Sequence, residues 1–149
     1  MTEYGMQSFP SMSMVESFTY EKDRSLDSDV MNAHQKASLG TANLIKYVED
    51  YYRMNDDFDS IVGLSQIMQA EAIRFAVEAH RRNMPYCMGT LYWQFNDCWP
   101  VISWSSIDYG GNWKALHYAA RKFFSPILVS IRDLDDKIEI HLINDQHHE

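Results

Sequence analysis

The stretch Ser60–Asn83 constrains the fold more than any other part of the chain. Ile61, Leu64, Ile67 or Met68, Ala72, Phe75 and Ala79 recur at helical spacing and predict one long amphipathic helix. The acidic run Asp56, Asp57 and Asp59 suits its N-terminus. Arg81 and Arg82 complement the dipole at its other end, and Pro85 stops it. Met88–Phe95 follows directly. It is apolar and aromatic, as a buried parallel strand reads. A long helix handing on to such a strand points to an α/β layer arrangement.

The other segments fit around this pair. Met1–Gly5 reads as the last residues of a strand, and Met6–Asp29 as a loop with at most short helical turns. Asp27–Lys36 predicts a short helix capped by Asp27 or Ser28. Gly40 breaks the chain, and Leu44, Ile45, Val48 and Tyr52 predict a helix over Thr41–Met54. Trp99–Tyr109 is a long aromatic loop. Asn112 is placed to cap a helix from Trp113 to Phe124, with Leu116, Ala120 and Phe123 or Phe124 inward. Beyond Ser125–Pro126 the hydrophobic period changes to two. Ile127–Arg132 and Lys137–Ile143 flank Asp133–Asp136, a hairpin with one buried face. The order of strand, helices, strand, helix and hairpin fits the closing βα units of a (β/α)8 TIM barrel running into a β-sandwich. The expected division is 1–125 for the C-terminal portion of the barrel and 126–149 for the first strands of an immunoglobulin-like sandwich. Two βα units cannot close a barrel, so exposed apolar surface is expected.

Charge and composition exclude some functions. The formal net charge of -8 leaves no basic stripe for nucleic acid and no attraction to an anionic membrane. No apolar run approaches the ~20 residues that span a bilayer. Cys87 and Cys98 bracket the expected strand, roughly 30 Å apart at ~3.3 Å per residue. That is too far for a disulfide, which needs Cα atoms within ~7 Å. Both are expected to be free, buried thiols. No CxxC occurs, and the six histidines show no zinc-ligand spacing.

Two segments hold the candidate chemistry. In Thr2-Glu3-Tyr4-Gly5-Met6-Gln7-Ser8 a carboxylate ends an expected strand and a glycine permits a sharp exit. Reactive groups of α/β barrels sit at the C-terminal ends of strands. By pattern alone, a glutamate near a terminus is more often solvated than catalytic. In Gly89 to Pro100, Trp93 and Trp99 flank Gln94, Asn96 and Asp97. An indole can pack on the C–H face of a pyranose while amides and carboxylates hold its hydroxyls. By pattern alone, Trp93, Trp99 and Trp104 more often form core and Asn96–Asp97 a turn. His34, His80 and His117 read as surface or capping residues, Asp108 as a structural loop carboxylate, and the nine methionines as core filler.

Glu3-Tyr4-Gly5-Met6-Gln7-Ser8-Phe9-Pro10 and Gly89 through Tyr109 resemble segments of family-2 glycoside hydrolases, specifically the β-mannosidase branch. Met31 to Lys36 and Ala79 to Asn83 resemble intervening segments of bacterial members. Trp113 to Tyr118 is similar to the last barrel helix of the family. The resemblance covers essentially the whole chain.

The resemblance implies that Glu3 is the nucleophile of a retaining exo-β-mannosidase and that Trp93 lines the subsite for the released mannose. Asn96–Trp99 should lie at the rim. The implied mechanism is double displacement at a terminal β-mannoside, with no metal or cofactor. Retention requires a second carboxyl ~5–5.5 Å from Glu3, and donors should hold Glu3 at a low pKa. The acid/base of the family follows an Asn, and no Asn-Glu pair occurs here, so the isolated chain should hydrolyse β-mannosides negligibly. The implied partners are the carbohydrate and the remaining domains of a longer enzyme. Alternatives are exo-β-glucosaminidase, β-galactosidase, β-glucuronidase or a non-catalytic fragment. The expected location is periplasmic or secreted for a bacterial protein, lysosomal for an animal one.

Overall fold

The computed structural model describes residues 3–55 and 57–146. Met1 and Thr2 of the expected first strand, Asp56 of the acidic run and the last three residues lie outside them. The elements are α1 (Met12–Phe18), a 3-10 turn (Glu21–Asp23), α2 (Asp29–Ala33), α3 (Gly40–Tyr51), α4 (Phe58–Arg82), α5 (Ala115–Phe123), β1 (Ile127–Leu134) and β2 (Lys137–Asn144).

The long helix forms for the reasons its sequence gives. The Asp57 carboxylate accepts from the Ser60 N–H at 3.0 Å, and His80, Arg81 and Arg82 occupy the last turn. Its buried stripe differs from the expected one. Val62, Ser65, Gln69, Ile73 and Val77 are buried, whereas Phe75 is 70% exposed. The stripe is displaced because Ser65 and Gln69 turn inward to bond the backbone of residues 6–9.

This helix serves two cores. Its first half, with Ile61, Val62 and Met68, packs on Phe9, Val15, Met31, Leu44, Val48 and Ile102. Its second half, with Ala70, Ile73 and Val77, packs on Leu116, Ala120 and Phe123 of α5. The stretch expected to be loop contains α1, capped by Ser11 and anchored by Met14 and Val15. Two turns are too short to leave a clear period in the sequence.

Three further expectations change. Met88–Phe95 forms no strand; its only strand-like pairing is a parallel bridge of Tyr92 with Tyr4. A ladder needs successive bridges along its length, and among the described residues this stretch has only that one bridge. The sole sheet among the described residues is β1–β2, so the structure shows helices and a two-stranded antiparallel hairpin. Asn112 does not cap α5. Lys114 is the N-cap residue, while the Asn112 N–H and side-chain amide donate to Asp108. Cys87 and Cys98 are free, but Cys87 is only partly buried and Cys98 is exposed, as are Met88, Leu91 and Phe95 between them.

The hairpin pairs Ile127 with Asn144 through Leu134 with Lys137, around the tip Asp135–Asp136. Its expected buried face is uncovered: Ile138, Ile140 and Leu142 are 66%, 72% and 72% exposed. It is held to α4 by polar contacts. Ser130 donates to Glu78 at 2.6 Å, and Arg81 pairs with Asp145 at 2.8 Å. No helix among the described residues is long and apolar enough to cross a membrane.

The two cores differ from the uncovered hairpin in what a truncation removes. Phe9→Ala empties a fully buried site and is expected to cost about 3–5 kcal/mol in equilibrium denaturation. A loss below 1 kcal/mol would show that the first core is not tightly packed.

Candidate active site

The segment Tyr4–Phe9 is fixed from both sides. On one side the Tyr4 carbonyl accepts from the Trp93 N–H at 2.7 Å, and Ser8 exchanges backbone bonds with Ser103 at 2.9 and 3.3 Å. On the other side Gln69 of α4 donates to the Met6 carbonyl at 2.8 Å and accepts from the Ser8 hydroxyl, while the Phe9 N–H donates to Ser65. The Tyr4 hydroxyl shares a 2.7 Å bond with Thr90, which also meets His80 at 2.9 Å. Burial, the largest cause, raises the Tyr4 pKa.

This arrangement sets which way the candidate residues face. Tyr4 and Tyr92 are bridge partners, and both pack into the core shared by α4 and α5. Side chains alternate along extended backbone. Glu3 and Trp93, each one residue from a bridge partner, therefore face away from the helices. They do lie on the open side: Glu3 is exposed, and Trp93 is 47% exposed. Gly5 is needed at the crossing, since a Cβ there would collide with the Trp93 carbonyl oxygen and lie 3.0 Å from Trp104 Cδ1. Among the described residues no hydrogen-bond donor reaches the Glu3 carboxylate.

Other residues take structural places. Asp108 is buried and accepts from the N–H and hydroxyl of Ser11 and from Asn112, so it is the loop carboxylate expected. His34 caps α2, stacks on Phe18 with ring centres 3.9 Å apart, and bonds the Pro100 carbonyl. It is thus a capping residue, though not a surface one. His117 meets Ser106 at 3.1 Å and packs on Trp113, and burial lowers its pKa. Of the expected rim, Asn96, Cys98 and Trp99 are exposed, but Asp97 is buried beneath them. Its carboxylate accepts from Ser103 at 2.7 and 2.8 Å, from Ser105, and from Gln94 at 3.1 Å.

Sequence reasoning missed Lys114. Its side chain is fully buried, with Nζ 3.3 Å from the Ser8 carbonyl, 3.4 Å from the Ser103 carbonyl and 3.5 Å from the Ser105 hydroxyl. Burial pushes its pKa down to about 7, against the opposing pull of Asp97 and Asp108. The available signal was a run of hydroxyls, Ser103, Ser105 and Ser106, within an otherwise apolar loop.

No family model matches the chain. It is 37% identical to the β-mannosidase of Capra hircus over 149 residues, which covers 91% of this chain and 17% of that protein. It is likewise 37% identical to β-mannosidase B of Aspergillus terreus over 135 residues, 88% of this chain and 16% of that protein. The structure superposes on a β-D-mannosidase from Dictyoglomus thermophilum with a TM-score of 0.94 and 36% identity, covering 97% of this chain and 18% of the other. An exo-chitosanase from Amycolatopsis orientalis shares the fold, with a TM-score of 0.72 and 19% identity over 83% of this chain and 16% of that one. The chain thus spans about a sixth of the length of the curated relatives it matches.

The Lys114 shift has a definite sign for stability. A lysine whose folded pKa is depressed binds fewer protons folded than unfolded, so stability rises with pH between about 7 and the ordinary lysine value near 10.5. Subtracting the pH profile of Lys114→Met from that of the wild type is expected to isolate this rise in denaturant titrations. A flat difference would mean that Lys114 keeps an ordinary pKa when folded.

Proposed function

We propose that this chain, which belongs to the β-mannosidase branch of family-2 glycoside hydrolases, carries the nucleophile and part of the sugar pocket of a retaining exo-β-mannosidase. The observation that carries the reading is the Tyr4–Tyr92 bridge. It turns a carboxylate and an indole to the same open side, away from the helices. The mannosidase relatives, at 36–37% identity over nearly the whole chain, supply the substrate class. On this reading residues 1–125 belong to the closing units of a (β/α)8 barrel. Residues 126–149 begin the following sandwich, and the remaining domains cover the exposed apolar faces.

Ionised Glu3 attacks the anomeric carbon of a non-reducing terminal β-mannoside. The glycosidic oxygen leaves with a proton from a second carboxylic acid, and a glycosyl ester forms on Glu3. That second group, as its carboxylate, then takes a proton from water, whose oxygen bonds the anomeric carbon as the ester to Glu3 breaks, releasing mannose with its configuration retained. Trp93 offers its face to the C–H side of the sugar ring. Asp97 and Asp108 are unsuited to the acid role, because both are buried and committed to several donors. A second reading, exo-β-glucosaminidase, draws on the fold shared with the exo-chitosanase.

A 2-fluoro-β-mannoside with a good leaving group tests the reading in the full-length protein. Fluorine slows both steps, and the activated leaving group preserves the first, so the glycosyl-enzyme accumulates. Peptide mapping is expected to place the label on Glu3. Glu3→Gln is expected to abolish labelling and lower turnover by more than roughly 10³-fold. Trp93→Ala is expected to lower kcat/KM about 10–100-fold, a loss of ~1.4–2.7 kcal/mol, with Glu3 still labelled more slowly. A label on Asp97 or Asp108, or near-normal turnover by E3Q, would assign the nucleophile elsewhere. Preferential hydrolysis of β-glucosaminides would favour the second reading.

A further inference from the structure

Lys114 is the one fully buried lysine among the described residues, and the proposed chemistry does not use it. It immediately precedes α5, and its Nζ reaches inward to the crossing of two backbone segments. One is the segment that carries Glu3, whose Ser8 carbonyl lies 3.3 Å from Nζ. The other is the segment 103–105, whose Ser103 carbonyl lies 3.4 Å away.

No carboxylate touches the ammonium within ion-pair distance. The opposite charge is reached through hydroxyls. Ser105 Oγ accepts from Lys114 at 3.5 Å and donates to Asp97. Ser103, whose carbonyl also faces Nζ, turns its hydroxyl to both oxygens of Asp97. Asp97 in turn accepts from the amide of Gln94, the residue after Trp93. Gln94 is further tied by its N–H to the Trp104 carbonyl at 3.0 Å. A continuous line therefore runs from the Glu3 segment, through Lys114, the two serines and Asp97, to the half-buried side chain of Gln94 beside Trp93. An apolar side chain would fill the space around Nζ without desolvating a charge, but it could not bond two carbonyls and a hydroxyl at once.

We propose, resting on the roles given above to Glu3 and Trp93, that Lys114 is a positioning residue. Its ammonium, linked to Asp97 through Ser103 and Ser105, holds the nucleophile-bearing and sugar-stacking segments in register with each other. Losing the link shifts Trp93 relative to Glu3, and a displacement of about 1 Å can cost on the order of 10²-fold in rate.

The test uses the full-length protein, whether or not it extends beyond these residues, with 5-fluorotryptophan incorporated. The fluorine resonances of Trp93 and Trp99 are assigned with Trp93→Phe and Trp99→Phe. Variants are compared at a temperature where their far-ultraviolet circular dichroism matches the wild type. Lys114→Met is expected to shift or split the Trp93 resonance and leave that of Trp99 in place. It is also expected to slow covalent labelling at saturating 2-fluoro-β-mannoside about 10–100-fold, with the half-saturating concentration changed less than about threefold.

The double variant Lys114→Met with Asp97→Asn, which also removes the carboxylate 4.0 Å from Lys36 Nζ, is expected to regain thermal stability but not labelling rate. An unmoved Trp93 resonance, an unchanged labelling rate in Lys114→Met, or a double variant that regains both properties would overturn the proposal. Were Lys114→Met not to fold, Ser105→Ala, which cuts the hydroxyl link alone, must move the Trp93 resonance in its place. If the wild-type protein takes up no label, the mannosidase reading fails, and the Trp93 resonance by itself decides the role of Lys114.

Discussion

A backbone segment buried between a helix and a loop must have its N–H and C=O groups bonded, and the segment Tyr4–Phe9 is placed by meeting that demand. The helix side is supplied by two polar side chains, Ser65 and Gln69, on an otherwise apolar stripe of α4. The loop side is supplied by the backbone around Trp93 and Ser103. Gln69 is central because it bonds Met6, Ser8 and Ser105, and so joins both sides. With this segment fixed, Gly5 must stay bare, Tyr4 must point into the helical core, and Glu3 must face the open side.

The two halves of α4 divide the work. Its N-terminal half packs with α3 and the α1–α2 region into one apolar cluster, and its C-terminal half packs with α5 into another. The described segment carrying Glu3 begins over the second cluster, with Tyr4, and ends in the first, with Phe9. The hairpin depends on α4 in another way. Its contacts are Ser130 with Glu78 and Arg82, and Asp145 with Arg81. Its rows of isoleucine and leucine remain uncovered. The polar attachment fixes where the hairpin sits, while an apolar face of this kind marks a surface suited to further packing.

Most of the helices were legible because helical periodicity and capping are local properties. Leu44 and Val48 in α3, and Leu116, Ala120 and Phe123 in α5, are buried as their spacing predicts. The failures have one cause in common. Pairing for Met88–Phe95, burial for Phe75 and a covered face for Ile138, Ile140 and Leu142 each require a neighbour from elsewhere, and a periodic pattern does not say whether that neighbour is present. Glu3 and Trp93 are proposed from family resemblance, whereas nothing in the sequence singled out Lys114. A lysine between Trp113 and Ala115 looks like any solvated cation until the carbonyls around its ammonium are seen.

The sequence by itself determined the longer helices, the presence of the hairpin after Pro126, and the identity of the segments that resemble β-mannosidases. These depend on residue type and spacing within short windows. Only the tertiary structure decided that Tyr4 and Tyr92 pair, that Asp97 lies beneath an exposed rim, and that the Lys114 ammonium spans two segments more than ninety residues apart in the chain. Such contacts arise when distant parts of the chain must satisfy one another's buried polar groups, a requirement that exists only once the chain has folded.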